Sequence, residues 1–216
     1  MYLAFLFISL LLAYLSGSIN FAILISRWAK GIDIRNVGNR NPGTANVGRE
    51  VGKGWAALVF LGDVAKGVIP LVLAKALIFR EDNYQDCSAL FLMAILVITG
   101  HCWPLYHQFK GGGGLATSIG IFMFFVPFEF FSALLVSYIM VTLLFRRKQY
   151  PYGQIVPMFF IPLACLFVIL SSIFLEFNPG GTFHIGGYPW YLVTGVLVLS
   201  LYITLINIRI VSGRFS

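Results

Sequence analysis

A chain of 216 residues that is 59% hydrophobic and only 11% charged, with a mean hydropathy of +0.87, does not suit a soluble domain and reads as an integral membrane protein. Fifteen Lys and Arg against eight Asp and Glu leave a net charge of +7, which in a membrane chain asks for a topological explanation before nucleic acid is considered. Cys87, Cys102 and Cys165 lie in or beside apolar stretches without CxxC spacing, so they support neither a disulfide framework nor a zinc site.

A helix crossing the hydrocarbon core needs roughly 20 apolar residues. The first run, Tyr2 to Ile25, carries no charge. It lacks a basic leader and is too long for a signal-peptide core, so it reads as a retained span. Its Ser16-Gly17-Ser18 suits the close approach of a neighbouring helix. A polar stretch from Arg27 to Lys53 follows. Further apolar runs sit at Trp55 to Leu77, Cys87 to Leu105, Leu115 to Val126, Phe128 to Phe145, Ile155 to Phe177 and Tyr188 to Val211, making seven segments. The fourth is only about twelve residues long, follows four glycines and stops at Pro127, so it reads as a half-span or re-entrant element lining a cavity.

Lys and Arg accumulate in cytoplasmic loops. Arg27, Lys30, Arg35, Arg40, Arg49, Lys53, Lys110, Arg146-Arg147-Lys148, Arg209 and Arg214 fall on one side of these spans, and Glu81, Asp82, Asp86, Glu129 and Glu176 on the other. The expected fold is an all-α integral membrane protein with about seven transmembrane helices, one of them short or re-entrant. Its N-terminus is outside, its C-terminus is cytoplasmic, and residues 1–216 form a single membrane-embedded domain.

Two cytoplasmic segments carry the candidate chemistry. Residues 31–54, GIDIRNVGNRNPGTANVGREVGKG, combine glycines that let backbone N–H groups converge, asparagines that add donors, and the cations Arg35, Arg40, Arg49 and Lys53. That is the composition of a phosphate cradle. The alternative is a positive-inside linker with turn residues. It is not a Walker A loop, because Gly38 and Gly43 are followed by Thr44-Ala45 instead of Lys-Ser/Thr. In the second segment Lys110 precedes Gly111-Gly112-Gly113-Gly114 at the start of the half-span, where free N–H groups and the helix dipole favour an anion.

Asp63 and Lys66, at i and i+3 in the second span, are expected to pair on one face towards the bundle interior. His101, His107 and His184 form no HxxxxD, and neither a G-x-S-x-G elbow nor an HExxH pair occurs. Any catalysis must then rest on positioning and electrostatics. No metal or organic cofactor is expected, because the carboxylates are mostly on the outer side and the histidines lack ligand spacing.

In this order, Gly17-Ser18-Ile19-Asn20-Phe21, Gly31-Ile32-Asp33-Ile34-Arg35, Val37-Gly38, Asn41-Pro42-Gly43, Asn46-Val47, Arg49, Gly52-Lys53, Asp63, Lys66-Gly67, Gly100-His101, Pro104 and Phe109-Lys110-Gly111-Gly112 resemble the acyl-phosphate-dependent glycerol-3-phosphate acyltransferases, the PlsY family. The resemblance implies a seven-span enzyme of the bacterial inner membrane with its active-site loops in the cytoplasm. Such an enzyme transfers an acyl group from acyl phosphate to the 1-hydroxyl of glycerol 3-phosphate, giving lysophosphatidic acid, without a cofactor and without a protein base. Its partners are the two substrates and membrane lipid, not nucleic acid. On this reading Arg49 and Lys110 hold phosphates, and Asn41 and Asn46 orient the acceptor. Gly111, Gly112, Gly113 and Gly114 bind an anionic oxygen, and Arg35, Gly38, Asn39, Arg40, Gly43, His101 and Asn207 complete the substrate-binding set.

The chain departs from the family pattern at several positions. Asn39 replaces a serine, Thr44-Ala45 reverses an Ala-Thr pair, Gly113 replaces a lysine, and Thr204 stands at a histidine position before Asn207-Ile208. A serine expected near Tyr150-Pro151-Tyr152 is absent, and Arg40 adds a cation opposite the lost lysine. Two other functions fit the same features: an altered paralogue that binds acyl phosphate or lipid or uses another acceptor, and a small-anion transporter.

Overall fold

A computed structural model of the chain describes residues 1–132, 135, 139 and 190–212. The Phe128 to Phe145 run beyond Ser132 (residues 135 and 139 excepted), the Ile155 to Phe177 run, the Arg146-Arg147-Lys148 triplet, Tyr150-Pro151-Tyr152, Cys165, Glu176, His184 and Arg214 lie outside the described residues. Among the described residues every regular element is helical. The chain divides into two compact units, one built from residues 1–124 with the residues from 209 onward, the other from residues 125–208.

The first unit opens with α1 (Tyr2–Ser18) and α2 (Phe21–Lys30), where the sequence suggested one uninterrupted helix to Ile25. Ile19 is extended, at φ −69 and ψ 109, and Asn20 caps α2 by accepting the Ile23 N–H at 3.1 Å. Asparagine at an N-cap satisfies a donor that the new helix start would orphan. The Ile19 carbonyl accepts from Lys66 Nζ at 2.7 Å. Backbone polar groups at membrane depth need such partners, so the break and the buried lysine belong together.

The polar stretch after α2 is folded onto the helices. Gly31, at φ +67, ends α2, a short 3-10 turn covers Ile34–Asn36, and α3 (Thr44–Glu50) leads into α4 (Lys53–Leu77). Ile34, Val47 and Val51 are buried with Ala22, Ile23, Ala56 and Val59 in a small apolar core. That core fixes the segment as structure, where composition alone left a linker open.

α5 (Tyr84–Cys102) crosses α1 through glycine. Gly17 lies against the Val97 backbone, and a Cβ on Gly100 would stand 2.8 Å from the Ser18 nitrogen. α6 (Leu115–Phe125) meets α4 in the same way, Gly67 against Thr117 and Gly120 against Val64. Without a hydrophobic drive between helices in lipid, close backbone packing of this kind stabilises their association.

Among the described residues three stretches, Tyr2–Lys30, Lys53–Leu77 and Tyr84–His107, are long and apolar enough to cross a membrane. α6 is not. Its 11 residues rise about 16 Å, half of a hydrocarbon core, and Pro127 begins a separate helical segment. α7 (Trp190–Ser212), whose residues 190–208 belong to the second unit, buries Val196, Leu199, Ile203 and Ile206 on one face and exposes Val198, Leu201 and Leu205 on another. Large apolar side chains also lie exposed along α1 and α4, as expected for a multi-pass protein whose outer faces meet lipid.

Candidate active site

Residues 31–54 are braced by their own side chains. The Asp33 carboxylate accepts from the Arg35 backbone at 3.0 Å, from Arg35 Nε and Nη2 at 2.9 and 2.6 Å, and from Arg27 Nη2 at 2.6 Å. Arg35 above all, and then Arg27, hold this carboxyl well below the usual carboxylate range, and Asp33 in turn raises the Arg35 guanidinium. Arg35 Nη1 reaches on to the His107 carbonyl at 3.1 Å, tying the first polar segment to the second.

Asn46 is buried, and its amide is committed to the loop. Nδ2 donates to the Ile34 and Val37 carbonyls at 3.1 and 3.0 Å, and Oδ1 accepts from the Asn39 N–H at 3.2 Å. Gly38 packs directly on this side chain at φ +59, where a Cβ would collide with Asn46 Oδ1 and stand 2.6 Å from Glu50 Oε1. Asn39 Oδ1 accepts the Asn41 N–H at 3.1 Å. Asn46, Asn39 and Gly38 therefore shape the loop from within.

The second segment is fixed mainly by backbone. Tyr14 Oη donates to the Trp103 carbonyl at 2.9 Å, and the Leu105 N–H donates to Ser18 Oγ at 3.3 Å, which fastens the turn after α5 to α1. Gln108 and Phe109 follow in left-handed backbone, each at φ +58, and lead to an exposed Lys110. The Gly111 and Gly112 N–H groups donate to the Cys102 and His101 carbonyls at 3.1 and 3.2 Å. They close the end of α5, whose last carbonyls lack helical partners, and so are not free for an anion as the glycine run had suggested. The N–H groups of Gly113, Gly114, Leu115 and Ala116 make no hydrogen bond among the described residues, and α6 begins with Ser118 N–H to Gly114 O at 2.8 Å.

Beneath the glycines lies a buried polar chain. Asp63 and Lys66 pair at 2.8 Å and are buried in the helix bundle, as their spacing predicted. Asp63 Oδ1 stands 3.7 Å from His101 Nδ1, which lies 3.1 Å from Thr117 Oγ1. His101 is itself buried, and a Cβ on Gly112 would come 2.6 Å from its Nε2 and 2.8 Å from the Pro42 carbonyl oxygen. His101 thus supports the glycine loop from below. Pro42 and Gly112 form the second point at which the two segments meet.

The cations sort into two groups. Arg27, Arg35 and Lys30 are committed, the last to the Glu50 carbonyl at 2.7 Å. Arg40, Arg49, Lys53 and Lys110 are exposed, and their side chains make no hydrogen bond or ion pair among the described residues. Asn41 Oδ1 and Thr44 Oγ1 are buried without a partner among those residues. Buried polar atoms are rarely left so, and beside free cations they mark where a polar ligand would contribute. Thr44 was not singled out by sequence, although the reversed Thr44-Ala45 order was its signal. Gly43 caps α3 in extended backbone. Asn207 belongs to the second unit, where its amide donates to the Ile203 carbonyl at 2.9 Å. Among the described residues no group of three or more His, Cys, Asp or Glu side chains is arranged to hold a metal.

Residues 7–212 match the family profile described as glycerol-3-phosphate acyltransferase. A glycerol-3-phosphate acyltransferase of Rubrobacter xylanophilus is 45% identical over 117 residues, covering 54% of this chain and 55% of that one. The Neisseria gonorrhoeae enzyme of the same name is 37% identical over 155 residues, 72% of this chain and 75% of the relative. The crystal structure of PlsY (YgiH), an integral membrane glycerol 3-phosphate acyltransferase in its glycerol 3-phosphate form, superposes with a TM-score of 0.70 at 30% identity, covering 97% of this chain and 93% of that one. Its lysophosphatidic acid form gives 0.69 at 29% identity, with the same coverage. This chain belongs to the glycerol-3-phosphate acyltransferase family.

Proposed function

We propose that the protein transfers an acyl group from acyl phosphate to the 1-hydroxyl of glycerol 3-phosphate, forming lysophosphatidic acid at the cytoplasmic face of a bacterial inner membrane. The observation that carries this reading is the junction of the two polar segments. Arg35 on His107 O and Pro42 on Gly112 join the loops that bear the uncommitted Arg40, Arg49, Lys53 and Lys110. Two substrates that each carry a phosphate need such an excess of free cations, and charge-assisted hydrogen bonds to phosphate are the strong kind.

In the reaction the 1-hydroxyl oxygen bonds to the acyl carbon, the bond from that carbon to the phosphate oxygen breaks, and the hydroxyl proton passes to phosphate. No protein base is required. Lys110 and Arg49 hold the phosphates, and the free N–H groups from Gly113 to Ala116 stabilise an anionic oxygen at the start of α6. Asn41 Oδ1 accepts from an acceptor hydroxyl, while Asn46, Asn39, Gly38 and His101 position the loops. The acyl chain lies in the hydrocarbon layer among the apolar faces. Seven spans with the N-terminus outside put Arg40, Arg49, Lys53 and Lys110 on the cytoplasmic side. The family match over residues 7–212 supports one membrane-embedded domain.

Protein reconstituted in lipid with acyl phosphate and labelled glycerol 3-phosphate should yield labelled lysophosphatidic acid. Lys110→Ala should lower the rate by about 100-fold, the scale of losing one phosphate contact in the transition state. Wild-type product no greater than that of Lys110→Ala would sink the reading.

A further inference from the structure

Arg40 has φ +59, a left-handed backbone in which Cβ crowds the following carbonyl and which glycine occupies without penalty. The loop itself does not explain an arginine there. Its backbone N–H donates to the Val37 carbonyl at 3.1 Å, a bond that glycine would make equally well. Its side chain is exposed and makes no hydrogen bond or ion pair among the described residues. A strained residue whose charge does nothing for the fold points to work done on a ligand.

Its neighbours say which ligand. Two residues on, the Pro42 carbonyl rests against Gly112, so Arg40 is no more than about 7 Å of extended backbone from the glycine loop. The free N–H groups from Gly113 to Ala116 follow that contact. Asn41, the next residue, holds a buried Oδ1 with no donor among the described residues, and Thr44 Oγ1 lies unpartnered three residues further along. A carbonyl oxygen needs a donor. Glycerol 3-phosphate offers hydroxyls beside its phosphate, whereas acyl phosphate has no hydroxyl of its own.

We propose that Arg40 binds the phosphate of glycerol 3-phosphate above the glycine loop, with Asn41 Oδ1 taking a hydroxyl of the same molecule, and that the left-handed strain at Arg40 is stability given up for this contact. The proposal rests on the acyltransferase reading and adds a residue that selects the acceptor.

Three substitutions in the full-length, lipid-reconstituted protein separate charge from strain. Arg40→Ala keeps the strain and removes the charge, Arg40→Lys keeps both, and Arg40→Gly removes both. KM for glycerol 3-phosphate should rise about tenfold in Arg40→Ala and Arg40→Gly and less than about threefold in Arg40→Lys. KM for acyl phosphate should stay within about twofold in all three. Arg40→Gly should melt about 2–4 °C above wild type, while Arg40→Ala should not. An unchanged glycerol 3-phosphate KM in both uncharged variants, a rise confined to acyl phosphate, or a lower melting point for Arg40→Gly would overturn the proposal. Melting with glycerol 3-phosphate alone gives an answer without turnover. The ligand should raise the wild-type Tm by more than that of Arg40→Ala at the same concentration; an equal rise, or none in wild type, refutes the contact. Absent turnover with the ligand shift intact would instead fault the acyltransferase reading.

Discussion

Residues 31–54 and residues 108–118 are both rich in glycine, yet side chains brace the first and backbone braces the second. In the first, Asp33, Arg35, Asn39 and Asn46 together satisfy the loop's amides and carbonyls and leave Arg40, Arg49, Asn41 Oδ1 and Thr44 Oγ1 uncommitted. In the second, Gly111 and Gly112 close α5 and press against Pro42 and His101, which leaves the following N–H groups free. A loop held by side chains can present cations. A loop held by close approach presents mainly backbone, with Lys110 as its cation, and it tolerates no Cβ at the contact.

Breaking the first brace should have the largest effect on stability. Asn46→Ala orphans the Ile34 carbonyl and the Asn39 N–H and leaves the Val37 carbonyl only the Arg40 N–H, a loss of about 3 kcal/mol, and a thermal melt should fall by roughly 6–12 °C with activity abolished. Gly112→Ala attacks the second brace. Its Cβ meets a backbone oxygen and a buried ring, so about 1–3 kcal/mol is lost. Because both loops must move apart, kcat/KM should drop further than the melt. His101→Ala in the same chain removes one of the two obstacles and should recover part of that loss, a coupling that a double-mutant cycle measures.

The pH response sharpens the contrast, because only the first segment rests on an ion pair. Asp33 is held below its ordinary carboxylate value by Arg35 and Arg27, so its contribution is complete above about pH 4 and is lost as pH falls from there through the depressed value. Wild-type Tm should therefore hold level from pH 8 to pH 5 as far as this group is concerned and fall in stronger acid. Asp33→Asn should melt lower at pH 7 and lose that part of the acid sensitivity. The smallest effect is expected from Thr44→Val, which removes an unpartnered hydroxyl at nearly constant volume. The melt should move by less than about 0.5 kcal/mol, and KM for glycerol 3-phosphate should rise about threefold.

Much of the fold was legible because membrane burial writes itself in long apolar runs. The runs after Trp55 and around Cys87 became α4 and α5, and the short run after Gly114 became the short α6. The break at Asn20 was not read, although asparagine ahead of Phe21-Ala22-Ile23 is a capping signal. An uncharged stretch hides a helix end when the compensating group, Lys66 on the Ile19 carbonyl, comes from 47 residues away. α3 was hidden for a related reason. At seven residues it is too short for helical periodicity to show, and only Val47 and Val51 on the local core betray its inner face.

The sequence by itself determined that this chain lives in a membrane, which residues carry charge, and which glycine motifs mark its family, because composition, span length and motif order are properties of the chain alone. Only the tertiary structure decided which of those charges are free. Arg35 and Arg40 are five residues apart and look alike in sequence. One is bound to Asp33 and the His107 carbonyl, and the other stands unpaired in left-handed backbone. Hydrogen-bond partners are set by where distant carbonyls and carboxylates arrive on folding, so the division between cations that brace the loops and cations left uncommitted appears only once the chain has folded.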